Sequence, residues 1–214
     1  LMFCAFSLLW IGKIIKSECV QFSMLAESKE KDKLTRAFIC IDFPDEVVKE
    51  VARVQELLEK WNFIGKITEL ENLHLTLKFL GEIDDLKIEE IKNALREIKF
   101  GKFEAKLGNT RIFHFNGNPK IVWIKILGKC IYELQRKIGH VLEKEGFRSE
   151  ERFMGHLTID RIKYTKDKKG FEAHVKKINA KSIGFTINNF KLMKSELREQ
   201  GPVYSKLGEY FLAG

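Results

Sequence analysis

Two stretches of the sequence decide the fold: ENLHLTLKFLGEI at residues 71–83 and RFMGHLTIDRIK at residues 152–163. Each contains His-Leu-Thr followed by an aliphatic residue, and the two histidines, His74 and His156, are 82 residues apart (156 minus 74). Polar and apolar residues alternate over these four positions, which is typical of a half-buried β-strand. The sequence therefore predicts two similar strands that each begin at a histidine.

These strands are expected to carry chemistry on one face. Residues i and i+2 of a strand face the same side, so His74 projects beside Thr76 and His156 beside Thr158. Imidazole titrates near neutrality, so one ring can accept a proton while another donates one. A threonine hydroxyl can hydrogen-bond a phosphate oxygen. The pattern favours acid–base chemistry on a phosphodiester, whereas either motif alone would more simply be a structural histidine in a strand.

The rest of the chain alternates helices with strands. Apolar spacing predicts amphipathic helices at 44–61, 84–99 and 129–145 and a weaker one near 171–178. Runs rich in β-branched and aromatic residues predict strands at 36–42, 73–80, 103–115, 120–127, 156–163, 182–195 and 203–211. Each half has a helix followed by a His-Leu-Thr strand. The sequence thus predicts an α+β fold of antiparallel sheets, each with helices on one face.

Charge and motif content narrow the class of protein. The chain of 214 residues has a net charge of +8, which suits a polyanionic partner such as RNA but is also common in basic proteomes. No C-x-x-C, H-E-x-x-H or phosphate-binding G-x-x-x-x-G-K-[ST] motif occurs. We therefore expect no metal, no cofactor and no ATP-driven chemistry, and four cysteines that remain reduced in the cytoplasm.

The first 35 residues differ from the remainder. Residues 1–12 are apolar but too few to span a bilayer, and residues 27–33 form a charged break. We expect residues 1–35 to be an upstream extension, either disordered or the product of a misplaced start. Residues 36–214 are expected to form the functional domain, without a membrane association.

Four stretches resemble one family. RAFICID (36–42), ENLHLTLKFLGEI (71–83), NPKIVW (118–123) and RFMGHLTIDRIK (152–163) resemble the RNA 2',3'-cyclic phosphodiesterases, also called 2'-5' RNA ligase-like proteins, of the two-histidine phosphoesterase superfamily. The resemblance covers residues 36–211. It implies two similar lobes around a central cleft, with one His-x-Thr motif supplied by each lobe.

The resemblance also implies a reaction. Water opens a 2',3'-cyclic phosphate at an RNA end and leaves a 2'-phosphate, without a metal. Carried over to this sequence, His74 and His156 form the acid–base pair, and Thr76 and Thr158 hold the phosphoryl oxygens. Which histidine is the base stays open at this point.

Three further residues are candidates for substrate binding, on weaker sequence signals. Arg161 matches a phosphate-binding arginine, but at five residues from His156 it reaches the same face only if a bulge re-aims it. Lys120 could attract the RNA backbone or be a solvated lysine, and Phe153 could stack on a base or belong to the core. Gly155 stands where the family usually has proline, and Asp160 replaces a small residue and could change the charge near the site.

Two alternatives to the hydrolase remain. The same residues would serve a 2'-5' RNA ligase acting on tRNA halves, because the two reactions differ in the nucleophile. A non-catalytic RNA-binding module is the third interpretation, although simple binding needs cations more than paired imidazoles. In each case the expected partner is RNA, including tRNA fragments, and the expected state is a monomer.

Overall fold

The computed structural model describes residues 34–149, 152–199 and 201–214, so the predicted extension lies outside it as far as residue 33. The strands are β1 (Thr35–Asp42), β2 (Ile64–Ile67), β3 (His74–Ile83), β4 (Phe103–Phe115), β5 (Asn118–Leu127), β6 (His156–Tyr164), β7 (Gly184–Ile187), β8 (Asn189–Arg198) and β9 (Gly201–Phe211). The helices are α1 (Asp45–Glu59), α2 (Asp85–Arg96), α3 (Lys129–Glu143) and α4 (Lys168–Lys177).

The strands form two antiparallel sheets. Sheet A has the order β3-β1-β8-β9, and sheet B has the order β2-β6-β5-β4-β7. The first His-Leu-Thr motif is in sheet A and the second in sheet B, as the predicted two-lobed α+β fold requires. Each sheet also takes strands from the other half of the chain: β2 joins sheet B, whereas β8 and β9 join sheet A.

One predicted strand proved to be two. Residues 182–195 were expected to form a single strand, but β7 pairs with β4 in sheet B and β8 pairs with β1 in sheet A. Buried residues occupy 185 and 187 and then 190 and 192, so the alternation changes parity at Asn188. This change of parity is where the chain crosses between sheets. The short strand β2 was not predicted, since four residues that include Gly65 carry little alternation.

The helices cover the outer face of each sheet. Helix α1 packs against β6 and α4 against β4 and β5, whereas α2 packs against β9 and α3 against β3 and β4. Leu75, Leu77, Leu157 and Ile159, which were predicted to point into the core, are fully buried. Burial of one such side chain stabilises the fold by about 1.5–3 kcal/mol, and it holds the intervening histidine and threonine on the opposite face. No described helix is long and apolar enough to cross a membrane.

Local signals account for the element ends. The Asp84 side chain accepts a hydrogen bond from the Lys87 amide (2.7 Å) at the start of α2, and Asp167 accepts one from Gly170 (2.9 Å) at α4. The β4–β5 hairpin turns at Asn116 and Gly117, which have φ values of 48° and 69°. Asparagine followed by glycine tolerates this left-handed pair of conformations best.

Candidate active site

The two motif histidines are held by the same type of hydrogen bond to the backbone. His74 begins β3 and His156 begins β6, and each ring Nδ1 lies 2.8 Å from the carbonyl oxygen two residues earlier, Asn72 and Met154 respectively. A carbonyl oxygen only accepts, so Nδ1 carries the proton and donates it. Nε2 of each neutral ring is therefore left with a lone pair. Both imidazoles are held in the tautomer that can accept a proton at Nε2.

The surroundings of His74 favour the neutral ring. Phe38 and Tyr204 pack against it with ring centroids at 4.9 and 5.3 Å. Burial lowers the pKa of His74 below its ordinary value, and positive charge on Arg161 and His156 acts in the same direction. Hydrogen bonding to the preceding carbonyl opposes this shift. Arg161 and His156 lie near enough to His74 to influence its pKa electrostatically.

His156 lies in a second aromatic setting. Phe113 contacts its ring edge-on at 5.3 Å and Trp123 at 5.9 Å, while these two aromatic rings stack on each other at 4.4 Å. The strand register places Trp123 beside Thr158 and Lys125 beside His156. Each histidine is thus fixed between a carbonyl acceptor and two aromatic side chains.

A pocket of about 310 Å³ joins the two motifs. It is lined by Thr76 from the first motif and His156 from the second, with Phe79, Phe113 and Phe153 around them. Three aromatic rings beside a hydroxyl and an imidazole can take a planar group next to a phosphate. The pocket therefore places residues of both sheets around one space.

A second pocket of about 280 Å³ lies on the outer side of His74. It is lined by that histidine with Phe38, Asn72, Met193 and Tyr204, among others. Burial raises the pKa of the Tyr204 hydroxyl, so this group stays protonated and can donate a hydrogen bond. The first motif thus contributes His74 to this pocket and Thr76 to the 310 Å³ pocket.

Arg161 reaches the cleft because β6 contains a bulge. Thr158 pairs with Trp123 and Asp160 with Val122, so Ile159 is the extra residue. Ile159 and Asp160 are both buried, and the alternation resumes with Arg161 exposed on the face of His156. The bulge that the predicted role of Arg161 required is present, and the role itself stays a prediction.

Helix α1 supports this bulge from behind. The carbonyl oxygen of Ile159 accepts two hydrogen bonds, from the Thr68 amide and from the buried side-chain amide of Gln55, both at 3.0 Å. The Gln55 amide also donates to the Thr68 carbonyl at 2.8 Å. Two donors on one carbonyl stabilise the irregular peptide that turns Arg161 toward the cleft. Gln55 was not predicted as a site residue, because its partners lie far along the chain.

Strand β3 repeats the bulge with different residues. Thr76 pairs with Cys40 and Lys78 with Ile39, so Leu77 is the extra residue and Phe79 takes the exposed position. Lys78 is buried and donates from Nζ to the Arg148 carbonyl at 2.7 Å. The chain after Arg148 leads toward His156. Lys78 therefore links sheet A to the connection that enters the second motif.

Asp160 does not carry its charge into the cleft. It is fully buried on the helix-facing side of β6, and its carboxylate oxygens have no hydrogen-bond partner in the described part of the chain. Burial raises its pKa to about 6, although the backbone amides of Arg161 and Lys66 act in the opposite direction. The bulge turns Asp160 and Arg161 to opposite faces. The Asp160 carboxyl group therefore lies in the core, and the change of charge that was expected at the site is not found there.

Strand β5 is irregular at Lys120. Ile121 pairs with Arg161, and the register between Pro119 and Ile121 is irregular, with Lys120 as the extra residue. Pro119 pairs with His114, whose Nε2 lies 3.0 Å from a Glu172 oxygen on α4. This contact marks the helix-facing side. His114 thus lies on the helix-facing side, and the contact of Lys120 with the RNA backbone stays a prediction.

Phe153 packs against the core and also lines a pocket, and its stacking on a base stays a prediction. It is half-buried, packs edge-on against Tyr132 at 5.4 Å, and still lines the 310 Å³ pocket. Gly155 keeps the entry to β6 close-packed: its carbonyl accepts from the Ile126 amide at 2.9 Å, and a Cβ there would lie 3.2 Å from the Ile126 oxygen. A glycine suits this position because the Ile126 backbone approaches it closely.

Sequence reasoning missed the aromatic neighbours of the histidines. Phe38 and Trp123 lie in the quoted stretches, and their alternate positions in β1 and β5 could have indicated the motif face. Tyr204 carries no such signal, because only the pairing of β8 with β9 brings it to His74. Among the described residues, no three His, Cys, Asp or Glu side chains are grouped as metal ligands.

Comparison with known proteins supports the same pair of motifs. The family model described as LigT like Phosphoesterase matches residues 41–123 and 127–204. Proteins named RNA 2',3'-cyclic phosphodiesterase are similar over most of both chains. The one from Methanocaldococcus jannaschii is 32% identical over 82% of this chain and 99% of its own. The one from Thermotoga maritima is 35% identical over 81% of this chain and 94% of its own.

Solved structures share the fold. A crystal structure from Thermus thermophilus superposes with a TM-score of 0.70 at 23% identity, covering 84% of this chain and 98% of that one. E. coli LigT complexed with 3'-AMP also gives 0.70, at 19% identity over 85% and 99% of the chains. The matched residues span both histidine motifs and both sheets, and the chain belongs to the LigT-like phosphoesterase family within the two-histidine phosphoesterases.

Proposed function

We propose that the protein hydrolyses a 2',3'-cyclic phosphate at an RNA end to a 2'-phosphate, with His74 and His156 as the acid–base pair. One observation supports this proposal: both imidazoles are held through Nδ1 by the carbonyl two residues earlier, which leaves Nε2 free on each, and they begin the contacting strands β3 and β6 in different surroundings. Acid–base catalysis needs one neutral and one protonated ring at the same pH. The names of the relatives from Methanocaldococcus jannaschii and Thermotoga maritima support the substrate.

The difference in burial assigns the roles. His74, whose pKa is lowered by burial, is the general base, because its neutral form is favoured. Its Nε2 takes a proton from water as the water oxygen attacks phosphorus. The bond from phosphorus to the ribose O3' breaks, and Nε2 of protonated His156 gives its proton to that oxygen. The products are a 2'-phosphate and a 3'-hydroxyl, and each histidine has exchanged one proton.

The remaining residues bind the phosphoryl group. Thr76 and Thr158 lie two residues after each histidine on the same face, where their hydroxyls can donate to non-bridging oxygens. Arg161 faces the same cleft and can neutralise the charge that develops in the transition state. Such donors contribute about 10²–10³ in rate each, and an acid–base group contributes about 10²–10⁴.

The test uses a short RNA ending in a 2',3'-cyclic phosphate, incubated with the protein in EDTA, with the product ends mapped. We expect a 2'-phosphate, and a rate lower by about 10²–10⁴ in His74→Ala and in His156→Ala, with RNA affinity retained. His140→Ala is the matched control, since that ring is 77% exposed on α3. A cyclic end that persists while the RNA binds would contradict the proposal and support the binding module.

The same assay separates hydrolysis from ligation. A second RNA with a 5'-hydroxyl end, such as a tRNA half, supplies the alternative nucleophile, and a 2'-5' junction would identify ligation. The free thiols of Cys40 and Cys130 suit a reducing cytoplasm, which is the proposed location.

A further inference from the structure

Sheet B carries rows of side chains that extend the site away from the histidines. Directly paired residues on neighbouring antiparallel strands share a face. Thr158 pairs with Trp123, and Trp123 pairs with Arg111 on β4, so these three form one row on the motif face. His156 pairs with Lys125. Two cations therefore lie on the motif face outward from the second motif.

The cations of the two sheets differ in how they are paired. On the corresponding face of sheet A, Lys191 bonds to Asp42, and Lys206 lies 2.6 Å from Glu209. In sheet B, neither Arg111 nor Lys125 has an ion-pair partner among residues 34–149, 152–199 and 201–214, and Arg111 is exposed. An unpaired cation on an open sheet attracts an anion more strongly than one already neutralised.

Arg36 on β1 also lacks an ion pair within the described ranges, but it lies at the opposite end of its strand from Asp42, the neighbour of His74. Within the described residues, Arg111 and Lys125 of sheet B are thus unpaired cations next to a histidine motif, as is Arg152, which lines the 310 Å³ pocket. Neighbouring strands are about 4.7–4.9 Å apart, so Arg111 is roughly 10 Å from Thr158 at the backbone. This distance suits a contact to the polymer beyond the reacting phosphate.

We propose that the RNA strand leading to the cyclic end crosses the β6–β5–β4 face of sheet B, where Arg111 and Lys125 bind its backbone phosphates. Phe113 lies two residues from Arg111 on this face and lines the 310 Å³ pocket, where it can stack on a base. This inference rests on the proposed function and adds the direction of the polymer. It makes the protein selective for an oligonucleotide over a single cyclic nucleotide.

The experiment compares a hexaribonucleotide ending in a 2',3'-cyclic phosphate with cytidine 2',3'-cyclic phosphate as substrates. In Arg111→Gln/Lys125→Gln, the ratio of kcat/KM for the hexamer to that for the mononucleotide falls roughly tenfold. Lys206→Gln is the matched control, because this lysine is on sheet A and already paired, and its ratio stays at the unmodified value. A double variant with an unchanged ratio would overturn the inference.

A binding measurement keeps this test independent of turnover. Fluorescence anisotropy with a labelled hexamer ending in a 2'-phosphate gives the affinity at several salt concentrations. Loss of two contacts lowers the slope of log affinity against log salt by about 1.4, since each phosphate contact on single strands contributes about 0.7. An unchanged slope would refute the proposed path of the RNA across sheet B. Unmodified protein that cleaves neither substrate would refute the proposed hydrolase, and the binding slopes would still decide the inference.

Discussion

The two His-Leu-Thr regions are built alike and differ in what surrounds them. Both histidines donate from Nδ1 to the carbonyl two residues earlier. His74 pairs across the sheet with Asp42 and is buried against two rings, whereas His156 pairs with Lys125. The same backbone hydrogen bond thus fixes the same tautomer in both histidines. The neighbours contributed by other strands make the pair unequal, and acid–base catalysis needs this inequality.

The bulges in β3 and β6 also present different residues in the two sheets. The residue five positions after the histidine is Phe79 in sheet A and Arg161 in sheet B, and both are exposed. The residue before it is buried in both, as Lys78 and as Asp160. Lys78 has a carbonyl partner, while the Asp160 carboxylate has none within the described residues. One bulge thus presents an aromatic ring to the cleft and the other a cation.

Replacement of Arg161 should give the largest effect. Arg161→Met should lower kcat/KM about 10²–10³-fold, because a donor to the developing phosphoryl charge is lost. Arg161→Lys should recover part of this rate, since it keeps the charge but loses the bidentate geometry. The matched change Phe79→Met should cost less than about tenfold, mainly in KM. Equal losses at both positions in steady-state kinetics would contradict the asymmetry of the bulges.

Replacement of Asp160 should change stability in a pH-dependent way. Its pKa is raised from 3.8 to about 6, so the folded state disfavours the ionised carboxylate. Asp160→Asn should therefore raise the free energy of unfolding by up to about 3 kcal/mol above pH 7. The gain should shrink as pH falls from 6 and vanish below 3.8, where the carboxyl is protonated in both states. Urea titrations at pH 4, 6 and 8 measure this, and a pH-independent gain would show that the carboxylate is not the cause.

Removal of the Gln55 side-chain amide should have a smaller effect on both stability and rate. Gln55→Leu removes one donor from the Ile159 carbonyl, which should lower the free energy of unfolding by about 1–2 kcal/mol. Because the bulge aims Arg161, kcat should fall about tenfold. A double-mutant cycle tests the coupling: in an Arg161→Met background the rate effect of Gln55→Leu should disappear while the stability loss remains. If the two rate losses were additive instead, Gln55 would not act on the rate through Arg161.

Replacement of Asp42 should produce the smallest shift. The Asp42 carboxylate favours the protonated form of His74, so Asp42→Asn should lower the pKa of His74 further. If His74 is the base, the acidic limb of the pH profile of kcat/KM should move to lower pH. Asp45→Asn, at the first turn of α1, is the control. Movement of the basic limb instead would make His74 the acid.

Much of the site could be predicted from the sequence because its signals are local. Period-2 alternation places His74 beside Thr76 and His156 beside Thr158, and the buried leucines in the same strands are observed. The need for a bulge before Arg161 also followed from counting residues. The same counting could not place Lys120, since an irregularity in β5 interrupts the alternation there.

The sequence by itself determined the two motifs, most of the helices and strands, and the family, because these depend on the periodicity and spacing of nearby residues. Only the tertiary structure decided that β7 and β8 lie in different sheets, that Gln55 supports the bulge, and that Tyr204 buries His74. The last two contacts join residues 104 and 130 (204 minus 74) positions apart. The pKa of an imidazole depends on such neighbours, so the inequality of the two histidines arises only when the chain folds.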